Sequence, residues 1–269
     1  MTATRFPDGP LWLVGCGNMG GAMVRRWLAA GLDPAQVTVI TRSGRGVPTG
    51  VSALSGPPPG ERPATLVLAV KPQQLDAVAP ALAGLEPALL VSILAGVEEA
   101  SLAARIPAGS VVRAMPNLPV AIGKGVTALY TSSRDEQARD AVTALMAPLG
   151  LVEWIADESL FDAVTALAGS GPGFVFRFVD ALARAGVALG LPADQAARLA
   201  IATVAGSAAM AAGSDQDPAR LADRVASPGG STREGLAVLD RNDALVRLLT
   251  ETLTAAARRN AEMAADAQR

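Results

Sequence analysis

The feature that most constrains this chain is a glycine pattern set between an apolar run and a helix. Leu11-Trp12-Leu13-Val14 leads into Gly15-Cys16-Gly17-Asn18-Met19-Gly20 and then into Ala22-Met23-Val24-Arg25-Arg26-Trp27-Leu28. The apolar run reads as a buried strand, the glycines as a tight turn, and the remainder as a helix. Gly15, Gly17 and Gly20 have the spacing G-x-G-x-x-G, in which the first glycine permits the turn, the second lets backbone approach a diphosphate, and the third lets helix pack on strand. The diphosphate belongs at the helix N-terminus, against free N–H groups and the positive end of the dipole. Gly15, Gly17, Asn18, Met19 and Gly20 are therefore assigned to a dinucleotide. A second apolar strand, Val37-Thr38-Val39-Ile40, follows at the distance of a β-α-β unit.

The residues after that strand choose between cofactors. An NAD site usually places an Asp or Glu there to hold the ribose 2′-hydroxyl, whereas an arginine accommodates a 2′-phosphate. Here Thr41-Arg42-Ser43-Gly44-Arg45 supplies two hydroxyls, two arginines and no acid. NADP is favoured over NAD, with Thr41, Arg42 and Ser43 around the phosphate; a solvated loop is the plainer alternative. Further strands are expected at Val51 to Leu54, Thr65 to Val70, Ala88 to Leu94 and Ser110 to Ala114. The run from Thr65 to Val70 is uninterrupted and apolar, as in a parallel sheet buried on both faces. Ligands of open α/β sheets bind outside the carboxyl ends of the strands, which places Lys71 at the cofactor. Helices starting near Gln73 and Glu98 alternate with these strands, so the sheet is doubly wound.

Composition narrows the chemistry. There is no histidine, and lysine occurs only at Lys71 and Lys124. His-based triads, His metal sites and a catalytic lysine in the second half are excluded, and no metal is expected. Net charge is near zero with no basic cluster, which argues against nucleic acid or an anionic membrane surface as partner. The single cysteine, Cys16, forms no disulfide framework and is read as filling a small gap in the turn, as suits a reducing cytoplasm. Met1 to Pro10 lacks a signal-peptide pattern, and the apolar stretch Phe174 to Leu191 is broken by Arg177, Asp180 and Arg184; a soluble protein is expected.

Gly125 to Tyr130 and Leu151 to Ile155 extend the sheet around a helix from about Asp135 to Leu149. From Asp157 onward only Ala- and Leu-rich helical spacing remains. Two domains follow, 1–156 and 157–269. The late helices are apolar around much of their circumference, which requires burial against each other or another subunit. Gly169-Ser170-Gly171-Pro172-Gly173 reads as a kink or close-packing point. Ser227-Pro228-Gly229-Gly230-Ser231-Thr232-Arg233-Glu234 has two readings. Ser231 with Glu234 has the form of a capping box, and the glycines leading into a helix start would also make an anion site.

These pieces together resemble the Δ1-pyrroline-5-carboxylate reductase family. The resemblance runs through Gly15-Cys16-Gly17-Asn18-Met19-Gly20, Ala69-Val70-Lys71-Pro72-Gln73, Val91-Ser92 with Ala95-Gly96-Val97, and Arg113-Ala114-Met115-Pro116-Asn117. It continues through Phe161-Asp162-Ala163-Val164-Thr165-Ala166-Leu167, Gly169-Ser170-Gly171-Pro172 and Ser227-Pro228-Gly229-Gly230-Ser231-Thr232. The chain carries Leu118 and Ala168 where the family usually has Thr and Ser, and Ser55-Gly56 where an Asn often contacts the adenosine. The resemblance implies an α/β fold, a doubly wound Rossmann-type NADP domain followed by an all-helical substrate and dimerisation domain. It implies a homodimer, often assembled further into decamers, and NADPH-dependent reduction of pyrroline-5-carboxylate to L-proline in the cytoplasm. Val70, Pro72, Ala95, Gly96 and Asn117 would join the cofactor contacts. Gly230, Ser231 and Thr232 would hold the substrate carboxylate by backbone N–H, the Thr232 hydroxyl would bond the ring nitrogen, and Glu158 would lie near the substrate. A β-hydroxyacid dehydrogenase or imine reductase shares this layout, although the hydroxyacid branch needs a lysine that the helical half lacks. A non-catalytic NADP sensor would have no use for Ser227 to Thr232.

Overall fold

The computed structural model of the chain describes residues 6–267, so the first five residues of the Met1–Pro10 stretch lie outside it. β1 (Leu11–Val14), β2 (Val37–Ile40), β3 (Ser52–Leu54), β4 (Thr65–Leu68), β5 (Leu89–Ser92), β6 (Ser110–Pro116), β7 (Gly125–Tyr130) and β8 (Gly150–Trp154) form one sheet in the order β3-β2-β1-β4-β5-β6-β7-β8. The first six strands are parallel, whereas β7 lies antiparallel on β6 and β8 runs parallel to β7. Chain length explains the reversal. Residues 117–124 between β6 and β7 are too few for a parallel crossover, which needs about a dozen or more. A helix fits between β7 and β8, and that pair is parallel.

Alternation along each strand sends side chains to two faces, and both are covered. Leu11 and Leu13, with Val39, Val67, Val91 and Val112, pack on Met23, Val24 and Trp27 of α1 (Asn18–Ala29) and on Val142, Leu145 and Met146 of α4 (Glu136–Met146). Trp12 and Val14, with Leu66, Leu68 and Leu90, pack on Leu75 and Leu82 of α2 (Leu75–Leu82) and Leu102 of α3 (Glu99–Arg105). The buried Trp27 indole donates to the Leu145 carbonyl at 2.7 Å, tying α1 to α4. A polar atom this deep costs stability unless bonded.

Packing divides the chain into residues 1–170 with 256–269, and residues 171–255. The division falls after Ser170, where the sequence pattern alone suggests 156. Residues 157–170 stay on the sheet because α5 (Phe161–Val164) buries Phe161 with Met115 and Ala128. A π-helical turn, Thr165–Gly169, follows it. The second unit holds α6 (Gly171–Ala188), α7 (Ala193–Ala212), α8 (Pro218–Arg224), α9 (Ser231–Asp240) and the first part of α10 (Ala244–Ala267). Among its described residues only Ala196, Ala200 and Ala226 are buried, while Phe176, Phe178, Ile201, Met210, Val246 and Leu248 are exposed. No helix among the described residues is long and apolar enough to cross a membrane.

Candidate active site

The strand order places a ligand crevice. From β1 the chain moves outward through β2 and β3, then returns to the other side of β1 with β4, and the carboxyl ends diverge at that reversal. A cleft of about 690 Å³ opens there. Its walls are the ends of four strands: Gly15 and Gly17 after β1, Thr41, Arg42 and Ser43 after β2, Ser55 and Gly56 after β3, and Val70 and Lys71 after β4. Seven residues assigned from sequence are thereby brought together.

The glycine turn is shaped by close contact. Gly15 has φ +94°, and a Cβ there would stand 2.7 Å from the Ala69 carbonyl oxygen, so glycine is required on both counts. A Cβ on Gly20 would meet the Gly15 carbonyl oxygen at 3.0 Å, so this position lets α1 lie against β1 and β4. Gly17, the N-cap of α1, faces open space, and no side chain caps the helix. The N–H groups of Asn18, Met19 and Gly20 in the first turn have no partner within the helix. The turn is therefore a donor set fit for a diphosphate. Burial pushes the Cys16 thiol up from its ordinary pKa, with Arg25 pulling weakly the other way. A thiol held neutral fills space and is a poor nucleophile.

Pro72 and Gly96 line a separate small pocket beside α3. Ala95 packs on the Met115, Ala128 and Phe161 cluster. Asn117 is buried and its amide is spent on the protein: Nδ2 donates to the Ala168 carbonyl at 3.0 Å and Oδ1 accepts from Val126 N–H at 2.8 Å. Glu158 is likewise engaged. Its Oε1 accepts from Arg113 Nη1 at 2.8 Å and from Glu99 N–H at 2.7 Å, and the Arg113 guanidinium lies 4.2 Å from the Phe161 ring centre.

In the second unit, Ser227 to Gly230 form a turn that closes with Gly230 N–H donating to the Ser227 carbonyl at 3.0 Å. Gly229 has φ +68°, and a Cβ on Gly230 would stand 2.6 Å from Ser227 Oγ. The N-cap of α9 is Gly230 and no side chain caps it. Of the two readings of this stretch, the capping box of Ser231 and Glu234 is not formed, because the helix begins one residue earlier than the box requires. Ser231 and Thr232 therefore enter the first turn with N–H groups that have no partner within the helix. The Gly230 N–H, by contrast, is committed inside the turn.

Comparison with known proteins accords with this arrangement. Residues 158–263 match the family model for pyrroline-5-carboxylate reductase dimerisation, and residues 11–96 match that for NADP oxidoreductase, coenzyme F420-dependent. The pyrroline-5-carboxylate reductase of Synechocystis sp. is 40% identical over 200 residues, 74% of each chain. The chain belongs to the pyrroline-5-carboxylate reductase family. Within the family, the solved structure from Coxiella burnetii is 31% identical with a TM-score of 0.86, covering 95% of this chain and 98% of that one. The crystal structure of the Plasmodium falciparum reductase with NADP bound is 27% identical with a TM-score of 0.81, covering 97% and 100%.

The cleft also includes residues that were not assigned from the sequence: Gln73, Gln74, Ala77, Val78 and Ala81 at and along the start of α2. Gln74, Ala77, Val78 and Ala81 recur there at helical spacing, and Leu82 joins them at the end of α2. That pattern, joined to the end of β4, is the signal that would have found them.

Proposed function

We propose that the chain reduces Δ1-pyrroline-5-carboxylate to L-proline with NADPH. The observation that supports this best is the switch-point cleft, with uncapped first-turn N–H groups at one side and Arg42 without an acid at the other, in a chain of this family. Gly15, Gly17, Asn18, Met19 and Gly20 hold the diphosphate, and Thr41, Arg42 and Ser43 hold the 2′-phosphate. Val70 and Lys71 flank the cofactor at the end of β4, with Pro72, Ala95, Gly96 and Asn117 shaping the backbone around it. NADPH, so held, supplies a hydride to the imine carbon.

The protein's own task is orientation and electrostatics. The imine nitrogen, bound protonated, makes its carbon electrophilic and takes up the bond electrons when hydride arrives, becoming the ring amine of proline. A chain without histidine can perform this, since no side chain has to abstract a proton. Ser231 and Thr232 donate backbone N–H bonds to the carboxylate, with Gly230 setting the turn that aims them. The Thr232 hydroxyl bonds the ring nitrogen. Glu158, whose Oε1 is held by Arg113 Nη1 and the Glu99 N–H, is the carboxylate assigned to the substrate's surroundings. The functional boundary is placed at 156/157, the reaction in the cytoplasm, and the working assembly is a homodimer through 157–269, with the decamer as the larger assembly.

Thr232→Ala tests this assignment. The substitution is expected to lower kcat by about tenfold, or roughly 1.4 kcal/mol of barrier, with KM for NADPH unchanged. The melting temperature should hold, because the helix start is uncapped by side chains already. Unchanged turnover with pyrroline-5-carboxylate would remove the role given to this hydroxyl.

A further inference from the structure

The turn that presents Ser231 and Thr232 is held at both ends by one side chain. Its entry is Ala226, buried at 2% exposure and two residues past the end of α8. Its exit is the start of α9, from which Arg233 reaches back across the turn. Arg233 Nη2 donates to the Ala226 carbonyl at 2.8 Å, and Nη1 donates to Asp223 Oδ1 at 2.9 Å. Ala226 N–H in turn donates to the Asp223 carbonyl at 3.1 Å. The guanidinium thus spans the end of α8, the residue before the turn and the first turn of α9.

Stability alone does not explain this arrangement. The Arg233 and Asp223 side chains are 44% and 68% exposed, and exposed ion pairs contribute little. The contribution is geometric. A guanidinium is a planar fork whose donors point in fixed directions, so two bonds to two partners fix a direction as well as a distance. Between those bonds lie two glycines, Gly229 and Gly230, the residues least able to hold a conformation by themselves. The direction of the Ser231 and Thr232 N–H groups follows the direction of α9 relative to α8.

We propose that Arg233 is a positioning residue for the substrate carboxylate, clamping α9 to α8 so that the Ser231 and Thr232 N–H groups converge on one anion. This rests on the reading of that turn as the carboxylate site. Both terminal nitrogens of Arg233 are engaged on the protein, so its effect on the carboxylate is exerted through the turn. Arg233→Ala is expected to raise KM for pyrroline-5-carboxylate and the inhibition constant of L-proline together, each by about tenfold, with KM for NADPH and kcat within about twofold of the parent. Arg233→Lys, which offers a single point donor in place of the fork, is expected to fall between the two. A merely structural role would lower the melting temperature and kcat together and leave the proline constant proportionate; that outcome overturns the assignment. Unchanged constants in Arg233→Ala, in an active parent, overturn the assignment alone. A parent chain that binds NADPH and turns over no imino acid overturns the functional reading, and the assignment with it.

Discussion

Arg42 stands at the end of β2 between two hydroxyl residues, exposed to the cleft, with no carboxylate among its immediate neighbours in the chain. A 2′-phosphate there gains a charge-assisted bond, and nothing repels it. NADPH is expected to give the higher kcat/KM, and Arg42→Asp to reverse the order of NADPH and NADH. Steady-state kinetics with both cofactors check this, and equal efficiencies in the parent would contradict it. Other single residues were less legible. Glu158 and Asn117 carry polar groups in the right motifs, yet their partners Arg113 and Ala168 lie 45 and 51 residues away in the chain. Spacing along a sequence does not disclose such bonds, whereas the glycine turn is local and could be read directly.

At the scale of elements, strands β1, β2, β4, β5 and β6 were legible because each is a short, largely buried apolar run, which an interior parallel strand requires, whereas β3 is a three-residue exposed edge strand with a weaker signal. The direction of β7 was not, since it depends on how few residues join it to β6. The start of α9 misled for a related reason: a capping box is a statement about which residue begins the helix, and the turn at Gly229 and Gly230 moves that beginning by one. The bond between β6 and the segment entering α5 has a measurable consequence. Arg113 is 6% exposed and Glu158 26%, and removing one partner of a buried pair leaves the other charge uncompensated. Because Glu158 is only partly buried, Arg113→Ala is expected to lower unfolding free energy by about 2 kcal/mol, read as a shift of the urea midpoint at constant slope. A change below about 0.5 kcal/mol would show that the pair does not hold this segment.

For the whole molecule, the second unit exposes Phe176, Phe178, Ile201, Met210, Val246 and Leu248. Apolar surface of this extent is buried in a subunit interface. Light scattering at about micromolar concentration is expected to give at least twice the chain mass of 27.2 kDa. A monodisperse monomer would contradict the dimer. The helical half was legible as a class from its Ala and Leu periodicity, and the need for a partner from its all-round hydrophobicity; the packing of residues 157–170 on the sheet was not, because it depends on Phe161 finding Met115 across the fold. The proposed function rests on hydride transfer from NADPH to the imine carbon on this chain. Its most direct measurement supplies NADPH deuterated at the transferred position of C4, with pyrroline-5-carboxylate and the purified protein, and locates the label in the product. Proline carrying one deuterium at the former imine carbon, formed in step with NADPH consumed, is the expected result; unlabelled proline, or no proline at all, would contradict it.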